Sequence, residues 1–199
     1  MVLVTGMDQP LGSGIASALA ERGARIVGAP EPDINAVVHA HVEPAALEAR
    51  SFMDGDDELW SRVWEGTMRG ALSLCQAVHP HLTSSGGGRV VFVVPTLGMS
   101  GAANLVPLAT AAEGVRVFAK STARQWGQDG ITVNCVAVSP ELVGVDAALV
   151  GDAALSAPAL GGAGDVARDI GPLVAFLCSE ASHFLTGATL SADGGGWMV

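Results

Sequence analysis

Two histidines, His39 and His41, stand two positions apart at the end of an apolar run, so an extended backbone turns both side chains the same way. Such a pair suits metal ligation or proton transfer. A metal centre needs at least a third protein ligand, and none lies nearby in sequence, so the pair reads as hydrogen-bonded loop residues and no metal is expected. Thr5-Gly6 and Leu11-Gly12 flank a loop between a short apolar run and a helical pattern, an arrangement that can offer backbone N–H groups to a phosphate. Asp8 inside that loop reads as a local hydrogen-bonder and Glu113 as a solvated helix residue. His79, His81 and His183 belong to no constellation. Cys75, Cys135 and Cys178 lack metal-ligand spacing and read as buried thiols. Two absences limit the chemistry further: the chain has no tyrosine, and Lys120 is its single lysine.

The elements that must position these residues follow from apolar spacing. Met1–Thr5, Ala24–Val27, Ile34–His39, Arg89–Val94, Thr132–Ala137 and Thr189–Ala192 read as strands, and the β-branched run from Arg89 suits a parallel strand covered on both faces. Gly12–Arg22, Asp57–Leu82, Leu105–Trp126 and Asp165–Cys178 carry helical periodicity, the last with an acidic first turn. The segment Gly28 to Asp33 holds two prolines and closes the second strand, and Ala147–Gly164 is small-residue-rich and reads as a mobile loop. Strands alternating with helices predict an α/β fold: a Rossmann-like, doubly wound parallel sheet in three α/β/α layers. With 199 residues and no biased linker or internal repeat, one domain over 1–199 is expected.

Hydrophobic residues make up 49% of the chain, yet no apolar run is long enough to span a bilayer, and the N-terminus reads as a strand rather than a signal peptide. A cytoplasmic protein is expected. The formal charge of -10 excludes nucleic acid and anionic membrane as partners, since both demand clustered Lys and Arg.

Several motifs in order resemble the short-chain dehydrogenase/reductase family: Thr5-Gly6 with Leu11-Gly12, Ala18 through Val27, Trp60-Ser61-Arg62-Val63 to Gly70, Gly88-Arg89-Val90-Val91, Gly130 to Asn134, Asp165-Val166-Ala167, and Thr186-Gly187-Ala188 with Asp193-Gly194-Gly195. The resemblance implies a site in which a tyrosine phenol moves the proton while nicotinamide exchanges hydride, with a lysine four residues on favouring the phenolate. Carried over position by position, the family's Asn, Ser, Tyr and Lys fall on Thr67, Pro95, Leu108 and Ala112. The three loop glycines fall on Gly6, Pro10 and Gly12. Proline has no N–H, so Thr5, Gly6 and Gly12 read as a vestigial loop that keeps a turn and a helix contact. The family's Asn-Asn-Ala-Gly falls on His39-Ala40-His41-Val42.

The resemblance also implies a third strand and flanking helices between the second and fourth strands. Only Gly28 to Asp33 stands there, so a shortened sheet is expected, with that strand and its helices missing. Ala29 and Pro30 occupy the place of the ribose-binding acid. No cofactor is expected, and no catalytic residue is assigned. Leu108, Ala112, Val115 and Ala119 share one apolar helix face, which implies a filled cleft or an apolar surface.

These points together predict a truncated, catalytically degenerate family member, a pseudoenzyme. Its implied partner is an active paralogue in a heterodimer or heterotetramer, in an acyl-CoA or fatty-acid-type pathway, or a second copy in a homo-oligomer. Trp60, Trp64, Phe118 and Trp126 are the expected interface anchors. The alternatives are a non-redox lyase, isomerase or cyclase using His39, His41 and Asp8, or a binder of a small lipophilic ligand.

Overall fold

The computed structural model describes residues 1–146, 148–149 and 157–198. Six strands form one parallel sheet in the order β2-β1-β3-β4-β5-β6. They are β1 (Val2–Thr5), β2 (Ile26–Val27), β3 (Ala36–His39), β4 (Gly88–Pro95), β5 (Ile131–Val138) and β6 (Thr189–Ala192). Every residue of β3, β4 and β5 is buried, as the unbroken apolar runs predicted.

The expectation of a shortened sheet lacking a strand is corrected by this topology. The sheet is continuous and six-stranded. β1 pairs in parallel with β2 on one side and with β3 on the other, so residues 28–35 carry the chain directly across from one flank to the next. Two prolines and Asp33 at φ 66 stop this connection from forming regular structure. They also leave β2 two residues long, where Ala24–Val27 had been expected.

Helices cover both faces. On one, α1 (Pro10–Glu21) and α6 (Gly171–Leu177) set Leu11, Ile15, Leu19, Val174 and Leu177 against Val4 and Val38. On the other, α3 (Gly70–Ser84) and α5 (Val106–Trp126) set Cys75, Val78, Leu82, Val115 and Ala119 against Val37, Val90 and Val133. The single helix expected over Asp57–Leu82 is α2 (Asp57–Trp64), a π turn at Glu65–Arg69, and α3 in succession. Asp56 starts it by accepting from the Leu59 N–H at 2.7 Å, a side-chain cap. The expected Asp165 helix opens on a second π turn, Val166–Ile170, with Asp165 capping the Arg168 N–H at 2.8 Å. A short turn, α4 (Leu97–Ser100), follows β4; its Gly98 packs so closely on α5 that a Cβ there would lie 2.9 Å from the Glu113 nitrogen.

Arg89 is a buried charge that periodicity did not single out. Its guanidinium donates to the carbonyls of Gly88 and Ser179 and to Glu180, tying the start of β4 to the turn after α6. Among the described residues no helix is long and apolar enough to cross a membrane. Part of the loop expected over Ala147–Gly164, Ala147 and residues 150–156, lies outside the described residues.

Candidate nucleotide site at the carboxyl edge of the sheet

In a parallel α/β sheet, ligands bind where loops leave the carboxyl ends of strands and neighbouring connections run to opposite faces. Here that crevice lies between the β1–α1 turn and the exit of β3. Gly6 holds φ 75, and a Cβ on it would sit 2.8 Å from the Ala40 oxygen and the His41 nitrogen. A Cβ on Gly12 would lie 2.2 Å from the Gly6 oxygen. The turn, the first helical turn and the β3 exit therefore approach to backbone contact. Gln9 locks them together: its side-chain amide donates to the Val42 carbonyl at 2.6 Å, and its side-chain oxygen accepts from the Val42 N–H at 2.9 Å.

This clasp bears on phosphate binding. Gln9 is the N-cap of α1, but its side chain is engaged on Val42 and makes no cap bond. The first intrahelical bond runs from Ser13 to Gln9, which leaves the Leu11 and Gly12 N–H groups without intrahelical acceptors at the positive end of a twelve-residue helix. Pro10 costs little there. It stands at the first helical position, whose N–H would have had no intrahelical acceptor in any case. The loop therefore fits a nucleotide phosphate, and the reading of Thr5, Gly6 and Gly12 as a vestige gave Pro10 too much weight.

Thr5 and His39, facing each other across β1 and β3, share a hydrogen bond of 2.8 Å between Oγ1 and Nδ1. The His39 ring packs edge-on to Phe92 and is 7% exposed, with Nε2 buried and unpartnered. Burial, aided by His41, pushes its pKa down to about 4, so the imidazole is neutral near pH 7. The His39 and His41 rings lie 6.4 Å apart, and among the described residues no group of three potential ligands surrounds a metal position. Asp8 is exposed on the loop, and Glu113 pairs with Arg116 on α5.

The positions carried over from the family are brought together only in part. Pro95 ends β4 and is buried; Thr67 lies half-buried in the π turn. Leu108 and Ala112 are 4% and 3% exposed. The single face expected for Leu108, Ala112, Val115 and Ala119 is divided: Leu108 joins Leu97, Leu105, Val143 and Val145, whereas the other three pack on the opposite core. The 3-10 turn Pro44–Leu47 buries Ala45 and Ala46 in the same core cluster as Leu108.

Two polar residues here escaped the sequence reading. Thr96 is fully buried with Oγ1 unpartnered, and its N–H donates to the Val138 carbonyl. Ser139 follows β5, is 3% exposed, and donates its hydroxyl to the Glu141 carboxylate. The signal that could have found them was position: polar residues directly after the long apolar strands β4 and β5, at the carboxyl edge. The thiols of Cys75 and Cys135 are pushed up to about 12 by burial and are inert at neutral pH.

A family model described as Enoyl-(Acyl carrier protein) reductase matches residues 29–196. The chain is 29% identical over 245 residues to 3-oxoacyl-[acyl-carrier-protein] reductase FabG of Escherichia coli K12, covering 100% of this chain and 98% of that protein. FabG of Vibrio cholerae is 28% identical with the same coverage. In fold, the chain is similar to TT0495 protein from Thermus thermophilus, with a TM-score of 0.80, 23% identity, and coverage of 98% and 97%. A short-chain alcohol dehydrogenase from Sinorhizobium meliloti gives 0.81 at 23% identity, with 98% and 95% covered.

These matches correct the remaining expectations. A truncated, degenerate pseudoenzyme should match its reductase relatives in part, whereas this chain runs from end to end along them. The same span, with the free N–H groups of Leu11 and Gly12, overturns the expectation of no cofactor and removes the basis for a non-redox cleft. By the match over residues 29–196, the chain belongs to the Enoyl-(Acyl carrier protein) reductase family.

Proposed function

We propose that this chain is an NAD(P)-dependent oxidoreductase of the reductase type, acting on a carbonyl or enoyl thioester. The observation that carries this reading is the β1–α1 turn: closed by Gly6 and Gly12, pinned by Gln9, and presenting two free N–H groups to a phosphate. The end-to-end span of named 3-oxoacyl reductases supports the substrate class. A nicotinamide bound here would supply hydride to the substrate carbon. The chain's own residues do the rest. The N–H groups of Leu11 and Gly12 would hold its phosphate at the start of α1.

The proton must reach the substrate oxygen without a tyrosine. Ser139 and Glu141 frame the route: the Ser139 hydroxyl is held by the Glu141 carboxylate just beyond β5, and a water bound to this pair gives its proton to the developing alkoxide, the hydroxide left behind exchanging with solvent. The test is oxidation of NADH and NADPH by the purified protein with 3-oxoacyl and enoyl thioesters. Turnover that falls on the order of a hundredfold in Glu141→Gln, with nucleotide affinity unchanged, supports the assignment. Failure to bind either nucleotide refutes it.

We infer further that the chain assembles with a second family member, an active paralogue or another copy of itself. Trp60 and Trp64 on α2, Leu72 on α3 and Val117 on α5 are exposed and apolar, which favours burial between chains. Two expected anchors serve the core instead: Phe118 stacks edge-on against Phe92, and Trp126 lies 4.7 Å from the His79 ring. Native mass spectrometry of the protein alone and with a coexpressed dehydrogenase should give an oligomer; a monomer in both cases refutes assembly. A cytoplasmic site of action accords with the free thiols Cys75 and Cys135.

A further inference from the structure

We propose that the site recognises the nicotinamide mononucleotide half of its ligand and gains little from the adenosine half, so that it discriminates neither NADH from NADPH nor either one from reduced nicotinamide mononucleotide. This rests on the nucleotide-binding reading above and assigns where in that ligand the affinity resides.

In doubly wound sheets the adenosine ribose lies beyond the carboxyl end of β2, where a carboxylate binds the 2′-hydroxyl or an arginine takes a 2′-phosphate. Here β2 is a half-buried edge strand of two residues. Gly28 and Ala29 follow it, both exposed, and Pro30 turns the chain back toward the start of β3. No helix builds a wall in residues 28–35. The Met7 side chain reaches over the strand end, with its methyl 3.2 Å from where a Gly28 Cβ would be, and so covers the backbone that would otherwise floor a ribose pocket.

The charged side chains nearby are committed or misplaced. Arg22 donates to the Ala18 carbonyl at 2.7 Å at the far end of α1, and Arg25 precedes β2 and pairs with Glu31 at 3.8 Å. Between Val27 and Pro30 no charged side chain stands to meet a ribose hydroxyl or a 2′-phosphate; the first acid, Glu31, lies beyond Pro30 and pairs with Arg25. The pyrophosphate, by contrast, would meet the N–H groups of Leu11 and Gly12 at the start of α1.

A charge-assisted hydrogen bond contributes roughly tenfold or more in affinity, so a built adenosine pocket separates dinucleotide from mononucleotide by well over tenfold. The experiment is titration calorimetry of the full chain with NADH, NADPH and reduced nicotinamide mononucleotide, and with AMP as competitor. The expected result is three dissociation constants within about tenfold of one another and no displacement by AMP. A dinucleotide that binds more than about tenfold tighter than the mononucleotide, a preference of that size between NADH and NADPH, or competition by AMP overturns the proposal and leaves nucleotide binding standing. Absence of binding by all three ligands instead overturns nucleotide binding itself, and this inference falls with it.

Discussion

Removing the titratable ring of His39 should flatten the acid side of the stability profile. The unfolded chain takes up a proton at this histidine near pH 6.5, whereas burial against Phe92 and the nearby His41 hold the folded ring unprotonated down to about 4. Between those values the unfolded state binds more protons than the native state. The contribution is therefore complete above the unfolded value and is lost as pH falls through this window. Integrating the linkage relation from neutrality to about pH 5 gives a loss of about 2 kcal/mol, rising toward about 3 kcal/mol near the native value. For a chain of this length that corresponds to roughly 5 °C in Tm at about pH 5. The assay is urea unfolding of wild type and His39→Gln at matched pH values between about 7 and 4.5. The substitution loses packing against Phe92, which lowers the whole curve; the diagnostic is the slope. Wild type should lose about 2 kcal/mol more than the variant over the interval. Parallel curves would refute the assignment of a neutral, desolvated imidazole to this site.

Three other perturbations test the geometry of the crevice and the sheet. Gln9→Ala removes two hydrogen bonds to Val42 and should cost about 1–2 kcal/mol in urea melts, with faster amide exchange at Val42. Gly12→Ala drives a Cβ to 2.2 Å from the Gly6 oxygen and should destabilise by about 1–3 kcal/mol while weakening NADH binding more than tenfold; an unchanged melt would mean that the turn is looser than described. Arg89→Met removes the buried guanidinium bonds to the Gly88 and Ser179 carbonyls and should cost about 1–3 kcal/mol in chemical unfolding, whereas Glu180→Gln should change little, because Glu180 is 93% exposed.

The interior of the sheet was legible because burial on both faces writes an unbroken apolar run: β4 and β5 each extend the expected strand by one residue at either end, and Thr189–Ala192 matches β6 at both bounds. Edges carried a weaker signal. Ala24–Val27 reads as a strand by composition, but Ala24 and Arg25 have no partner beyond β1, and only Ile26 and Val27 pair. The π turns at Glu65–Arg69 and Val166–Ile170 are invisible to a 3.6-residue period, since one extra residue in a turn leaves the apolar stripe nearly in phase.

The candidate site is the part least legible in sequence, because its meaning depends on helix position as well as on residue type. A proline in place of a loop glycine signals a lost donor when the loop is treated as a row of equivalent N–H groups, yet at the first position of α1 that donor had no intrahelical use. What decides phosphate binding is whether the next two N–H groups are already taken. That depends on Gln9, whose side chain could cap its own helix or reach Val42 thirty-three residues away; sequence spacing favours the local choice, and the close approach enforced by Gly6 favours the distant one. The same reasoning explains Ser139 and Glu141. Their meaning comes from the end of β5 lying beside Pro95 and Thr96, a register fixed by eight parallel pairs between two strands and carried by no local motif. Exchanging Gln9 for Asp tests the point: a carboxylate too short to reach Val42 but suited to capping α1 should occupy the freed N–H groups and abolish phosphate binding, even though every glycine of the loop remains.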